Sequence, residues 1–178
     1  ADSEKIKALE ADGAEVIYQK VDLLEYDQIS TLLQNQAGIN GIFHSALTLD
    51  DRTIQFMDKE TLFRVLDPKV KGVINLSKAL IEKNYPLDFV LFFSSLQSFI
   101  ANPGQANYTA ACVYKDAMAS LLRNFYMYNT KVINWGFWGN VGIVSNDKYR
   151  ERMTSLGIGS IEPNEGLQII EDFLKSDL

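Results

Sequence analysis

Apolar residues along this chain follow two different periods, and stretches of the two alternate. Short runs dense in β-branched and aromatic residues read as strands: "AEVIYQKVD" (14–22), "INGIFHSA" (39–46), "DFVLFFSS" (88–95) and "KVINWGFWG" (131–139). Between them the apolar positions take helical spacing, as Ile29, Leu32 and Leu33 do in "EYDQISTLLQNQ". "DKETLFRVLDPKVKGVINLSKALIEK" reads as a long helix interrupted at Pro68. It is either kinked there or restarted, with Asp67 as N-cap and the proline in the new first turn. "YTAACVYKDAMASLLRN" is Ala-rich and helical, "NDKYRERMTSLGIGS" a short polar helix and loop, and "PNEGLQIIEDFLK" a closing amphipathic helix with Pro163 in its first turn. "IANPGQAN" is turn chemistry centred on Pro103 and Gly104.

Three of the four strands are short and nearly all apolar, as strands of a parallel sheet covered on both faces are. The pattern predicts an α/β fold with a doubly wound parallel sheet. Ligands in such sheets bind beyond the carboxyl ends of the strands. Here those ends carry Asp22, "HSA", "SS" and "WGFWG". The opening "ADSEKIKALEADGAEV" reads as a helix tail running into a strand, with Gly13 where a helix C-terminal glycine belongs. A domain rarely begins inside such a unit, so residues 1–178 read as one domain, part of a longer chain and lacking its first strand–helix unit.

The formal net charge of −6, with no cluster of Lys and Arg, argues against a nucleic-acid groove. Cys112 is the only cysteine and His44 the only histidine, which excludes an internal disulfide and His-rich metal sites. No apolar run reaches membrane-span length and no signal peptide opens the sequence. A cytoplasmic protein with neither membrane nor nucleic-acid partner is expected.

The chemistry gathers around Ser95 and Tyr108, thirteen residues apart across a strand–turn–helix unit. Such a unit can bring both hydroxyls to one point. Two hydroxyls on a carbonyl oxygen would polarise it, and one could donate a proton while hydride arrives at carbon. Taken alone, a Ser-Ser pair simply terminates a strand, and Tyr108 is a packed aromatic. Moving a phenol from a pKa of about 10 toward neutrality takes roughly three units, or about 4 kcal/mol, which a nearby cation can supply. One turn on from Tyr108, the place for that cation holds Cys112. Lys115 is two turns away, about 10 Å along the axis, too far for direct contact. Lys69 and Lys71 on the preceding long helix are the better candidates.

"FSSLQSFIANPGQANYTAACVYKDA" resembles the ketoreductase domains of modular polyketide synthases, members of the short-chain dehydrogenase/reductase superfamily. Ser95 and Tyr108 match that family's serine–tyrosine spacing. The family takes its lysine from the preceding helix in a "PKVxG" context, and "DPKVKG" nominates Lys69. "INGIFHSA", "VINWGFWGNVGI" and "GIGSIEPNEG" extend the resemblance over nearly the whole chain. The wording of "SFIANPGQANY" and "NWGFWGNVGIV" is nearest to synthases served by a separate acyltransferase.

The resemblance implies a Rossmann-like fold, NADPH as cofactor, and reduction of the β-keto group of an acyl chain tethered through phosphopantetheine to an acyl carrier protein. Neighbouring synthase domains would be further partners. Tyr108 would donate the proton, Ser95 bind the carbonyl oxygen, and Lys69 lower the tyrosine pKa and contact the nicotinamide ribose. Asp22 and Leu23, His44, Ser45 and Ala46, and Trp135 and Gly136 would flank the cofactor. Asp22 is either an acceptor for the adenine amino group or an ordinary turn aspartate. His44 itself would be structural, because the family does not use it as an acid. Leu49, Asp50, Asp51, Gln105 and Trp138 would form the substrate and stereocontrol set. "LDD" (49–51) matches the B-type signature, and Ile100 stands where an A-type tryptophan would fall, which implies a D-configured hydroxyl. Without the family, Asp50 and Asp51 read as a solvated loop.

Cys112 departs from the family's asparagine, and a thiol cannot hold Lys69 or a relay water as an amide can. No GxGxxG occurs: "GFWGNVG" comes late and has three-residue spacing. The family's glycine-rich turn and the arginines that select NADPH belong to its first strand–helix unit. Two other readings stand beside the ketoreductase: a non-catalytic scaffold remnant of a synthase, and a stand-alone short-chain reductase of another ketone. The intact Ser95, Tyr108 and Lys69 set argues against the first, and the missing lysine at 112 against the second.

Overall fold

In the computed structural model, residues 3–36, 38–100, 102–139, 141 and 147–176 are described. Strands β1 (Gly41–His44), β2 (Phe89–Ser95) and β3 (Thr130–Trp135) form one parallel sheet in that order. His44 lies opposite Phe92, and Ser95 opposite Trp135. Because all pairings are parallel, the carboxyl ends of the strands share one edge, which collects His44, Ser94, Ser95 and Trp135.

The helices are α1 (Ser3–Ala11), α2 (Tyr26–Asn35), α3 (Lys59–Lys69), α4 (Lys71–Lys83), α5 (Ala106–Phe125), α6 (Asp147–Ser155) and α7 (Pro163–Lys175). Ile29 and Leu33 of α2, Val73, Leu76 and Leu80 of α4, and Ala119 and Leu122 of α5 bury against Val90 and Phe92 of β2. Those two β2 residues are two apart and share one face of the sheet. On the other face, Phe43, Phe89, Phe93 and Trp135 make edge-to-face ring contacts. Lys131, level with Leu91, reaches α7 there. Helices therefore meet both faces, as a doubly wound sheet requires.

Two local expectations are corrected. Residues 14–22 pair with no described strand, and Ile17 and Tyr18 are each 61% exposed. β-branched composition favours an extended chain, but a strand exists only where a neighbour takes its backbone groups. In the described sheet β1 pairs with β2 alone. Second, Asp67 is not an N-cap. Helix α3 continues through Pro68, whose missing N–H falls in the last turn, and ends at Lys69. The break comes at Val70 (φ −102°, ψ −70°), and α4 starts one residue later without a side-chain cap. This joint places Lys69 on the last residue of a helix, turned inward and 1% exposed.

The Pro103–Gly104 turn is closed by the Gln105 N–H donating to the Asn102 carbonyl at 3.1 Å. Gly104 has φ +88°, a conformation that a side chain would strain. The turn reverses the chain so that α5 starts beneath the end of β2.

Lys131 is 4% exposed and donates to the Phe173 carbonyl at 2.6 Å and to Ser176, at the C-terminus of α7. A cation there satisfies carbonyls that the helix leaves open. Lys131→Met in the intact protein is expected to lower stability by about 1.5–3 kcal/mol, and to speed hydrogen exchange in residues 163–176 ahead of the sheet.

His44 is 4% exposed. Burial, then the charges of Lys115 and Lys69, push its pKa from 6.5 down to about 3. The unfolded chain therefore binds a proton that the folded chain refuses between about 6.5 and 3, so stability falls as pH is lowered through that window. Ring NMR signals of this single histidine should show the neutral form at about pH 5, and His44→Leu should remove its share of the stability slope.

Candidate active site

Ser95 ends β2 in extended backbone, and its Oγ accepts the Gln97 N–H at 3.2 Å as the cap of a short 3-10 turn over residues 96–98. That bond fixes the oxygen and leaves its O–H to donate. The Ser95 carbonyl accepts from Ser98 Oγ at 2.8 Å, which ties the turn back to the strand end.

Tyr108 stands in the first turn of α5, half-buried. Lys69 Nζ lies 5.1 Å from the centre of its ring, on the electron-rich face that attracts a cation. Lys69 belongs to α3, the helix that carries "DPKVKG", while Lys71 is exposed to solvent. Between them Cys112 is fully buried. Burial raises the pKa of its thiol, against the opposing pull of Lys69, Lys115 and a hydrogen bond with Tyr108, so no thiolate is available to neutralise the lysine.

Ser95 and Tyr108 line one cavity of about 620 Å³, together with Ser45, Leu49, Ile100, Gln105, Trp135, Gly136 and Trp138. The volume suits a small-molecule site. Met153, Leu156 and Ile158 close it from the α6 side. Trp135 packs edge-on against Trp138 with centroids 4.9 Å apart. Trp138 in turn lies on Gly166 of α7, where an added Cβ would come 2.0 Å from its ring.

The loop at 49–51 is not a loosely solvated one. Asp50 accepts from Arg64 at 2.9 Å and faces Arg52 at 3.5 Å, and its carbonyl accepts from Asn107 Nδ2 at 3.0 Å. Asp51 accepts from Gln105 Nε2 at 2.8 Å. Asn107 and Gln105 sit at the start of α5, so the loop is fastened to the turn that presents Tyr108.

Other candidates lie apart. Asp22 and Leu23 border a separate open depression with Lys20 and Pro68. Asp22 Oδ1 accepts the Leu24 N–H at 2.9 Å, the geometry of a turn aspartate. His44 and Ala46 line a hollow shared with Ile29 and Leu76 behind the cavity, and Ser45 touches both.

Sequence reasoning set Lys115 aside on its distance along the helix axis. The side chain is fully buried, and its Nζ donates to the Phe93 carbonyl at 3.0 Å and meets Lys69. The signal was periodicity. Ala111, Cys112, Lys115, Ala119 and Leu122 form one buried stripe of α5. Among the described residues, no group of His, Cys, Asp and Glu could hold a metal ion. No described helix is long and apolar enough to cross a membrane.

Comparison with known proteins agrees with this geometry. Residues 1–140 match the family model of the KR domain. Polyketide synthase PksN of Bacillus subtilis is 43% identical over 148 residues, covering 83% of this chain and 3% of PksN. Polyketide synthase ThaG of Burkholderia thailandensis is 37% identical over 175 residues, covering 96% of this chain and 3% of ThaG. A ketoreductase domain from the bacillaene assembly line superposes with a TM-score of 0.84 at 30% identity, covering 94% of this chain and 42% of that one. The chain thus spans a small part of its curated relatives and less than half of a solved domain. With the fold, the family match and these relatives in agreement, the chain belongs to the ketoreductase (KR) domain family of polyketide synthases.

Proposed function

We propose that this chain carries the catalytic half of an NADPH-dependent ketoreductase that reduces the β-keto group of an acyl thioester on the phosphopantetheine arm of an acyl carrier protein. The observation that carries the reading is the buried Lys69 ammonium held over the ring of Tyr108, whose side chain lines the same cavity as Ser95.

The Ser95 hydroxyl, its oxygen fixed by Gln97, donates to the substrate carbonyl oxygen and orients it. As negative charge grows on that oxygen, the Tyr108 hydroxyl gives up its proton to it, and the alcohol forms. Lys69 favours the tyrosinate left behind, because an opposite charge nearby stabilises the ionised phenol. Leu96, Trp135, Trp138 and Met153 give the cavity an apolar wall, which lowers the local polarity and so strengthens each of these interactions.

The residues at the strand ends fit a nicotinamide cofactor. The Trp135 Nε1–H is buried without a partner beside Gly136, and Ser45 brings a hydroxyl to the same cavity. Ser45, Ala46, Trp135 and Gly136 would hold the nicotinamide end, and Asp22 and Leu23 the adenine end. When bound, NADPH supplies the hydride to the carbonyl carbon.

The "LDD" stretch supports a D-configured product. Its backbone is tied to α5 through Asn107 and Gln105, so Leu49 enters the cavity at a fixed place. Ile100 lines the cavity where a tryptophan would mark the opposite class. The acyl carrier protein and adjoining synthase domains are the partners that this role requires.

In the complete domain, Tyr108→Phe is expected to lower ketone reduction by about 100-fold or more, and Ser95→Ala by about 100–1,000-fold, with unchanged unfolding temperatures. Chiral chromatography of the product from a carrier-bound β-keto thioester should give the D-alcohol. Undiminished turnover by Tyr108→Phe would reject the assignment.

A further inference from the structure

Helix α5 buries a second lysine beneath the site. Lys115 is 0% exposed and Lys69 1%. Neither pairs with a described carboxylate. The Lys115 Nζ donates to the Phe93 carbonyl at 3.0 Å, and the Lys69 charge acts on it at close range. Two ammonium groups brought together repel and cannot hydrogen-bond, because each is only a donor. The pair is accommodated when one of the two is a free amine, whose lone pair accepts. Lys69 Nζ lies over the face of the Tyr108 ring, where a cation is favoured. Lys115 points instead at a backbone carbonyl, to which an amine N–H donates as well as an ammonium does.

We propose that Lys115 is a positioning residue: as a free amine held on the Phe93 carbonyl, it accepts a hydrogen bond from the Lys69 ammonium and keeps that ammonium against Tyr108. The proposal rests on the roles given above to Lys69 and Tyr108. An amide side chain one turn after Tyr108 would offer an accepting oxygen for the same task. Cys112, in that place, offers a buried neutral thiol, a weak acceptor. Lys115 supplies the acceptor from one turn further along the same buried stripe.

Burial, then the charge of Lys69, depresses the Lys115 pKa from 10.5 to about 6. The other titratable groups facing the pair are Cys112 and Asp116 on α5, which raise Lys115 slightly, Tyr108, and His44 on β1. Strand β2 faces Lys115 with a carbonyl. His44 stays neutral down to about 3, so it does not titrate in the same range. As pH falls through about 6, Lys115 takes a proton and loses its lone pair. The two ammonium groups then repel, and Lys69 leaves the ring. Activity should therefore show an acid limb near that pH, set by Lys115.

The test compares Lys115→Met, which has no polar head, with Lys115→Gln, which keeps an acceptor and a donor but cannot titrate. Both are made in the complete domain and checked by circular dichroism and thermal unfolding. The first readout is the phenol titration of Tyr108 in cofactor-free protein, by ultraviolet difference against Tyr108→Phe. The second is kcat against pH with a simple ketone. Lys115→Met is expected to raise the Tyr108 titration by at least about one pH unit and to lower kcat about 100-fold. Lys115→Gln should return the phenol titration and most of kcat, with the acid limb gone.

The proposal is overturned if Lys115→Met leaves the phenol titration and the acid limb where they stand in the unmodified protein. It is equally overturned if folded Lys115→Gln loses as much as Lys115→Met. Should Lys115→Met fail to fold, the acid limb of Lys115→Gln decides: its absence supports the proposal and its persistence overturns it. Full turnover by Tyr108→Phe would instead remove the reaction in which Lys115 is given its part. The phenol titration still tests the Lys115–Lys69 contact independently.

Discussion

An ammonium group taken out of water loses several kcal/mol of hydration unless nearby groups replace it. Lys69 is held in that position, at the joint where α3 ends and α4 begins. What replaces its water is sparse: the face of Tyr108 and, in the arrangement proposed above, the head group of Lys115. No carboxylate pairs with it among the described residues. A carboxylate would satisfy the lysine better, but it would cancel the field at the phenol. A site that needs a positive field must leave its cation under-neutralised, and the surrounding fold has to supply the rigidity that an ion pair would otherwise provide. The features around it serve that end: Val70 breaks the helix at a fixed point, the Gly104 turn brings α5 under β2, and Asn107 clamps the 49–51 loop to the start of α5.

The order of helices and strands was legible because each element repeats its own signal several times. Phe89–Ser95 is apolar almost throughout, and the helices repeat apolar residues at helical spacing. Legibility failed where structure depends on something other than the segment itself. Residues 14–22 have strand composition but no described partner, and composition cannot report a neighbour. Pro68 marked an interruption correctly in kind but not in place. A proline in the last turn costs the helix one bond, the N–H that would have met the Arg64 carbonyl, and the helix still runs on to Lys69.

The site divides in the same way. That Ser95 and Tyr108 would share one cavity was legible from spacing, since a strand, a turn and a helix start at fixed offsets leave little freedom. Lys69 was singled out only by resemblance. Spacing offered it alongside Lys71, and the difference between them is which side of a helix joint each occupies. Lys115 was missed because distance along an axis was used where the radial direction mattered. Two turns separate it from Tyr108, but its long side chain runs inward to meet a lysine from another helix. The acidic pair at 50–51 was ambiguous for a related reason: its partners Arg64, Asn107 and Gln105 lie 14 to 57 residues away in sequence.

Position 112 shows how these constraints act together. A thiol there fills the small space on the packed side of α5, and burial keeps it protonated. It therefore adds no negative charge that would offset Lys69, and it gives up the accepting oxygen that an amide would place beside the lysine. A second amine on the same stripe restores an acceptor, but only while it is itself uncharged. The exchange replaces a group that never titrates with one that does, and so couples the placement of Lys69 to solution pH. The cysteine at 112 and the lysine at 115 are then one structural choice, not two. A short thiol next to the ring offers the Lys69 ammonium only a weak acceptor, and in the proposed arrangement a long buried amine one turn on gives it one without introducing a negative charge.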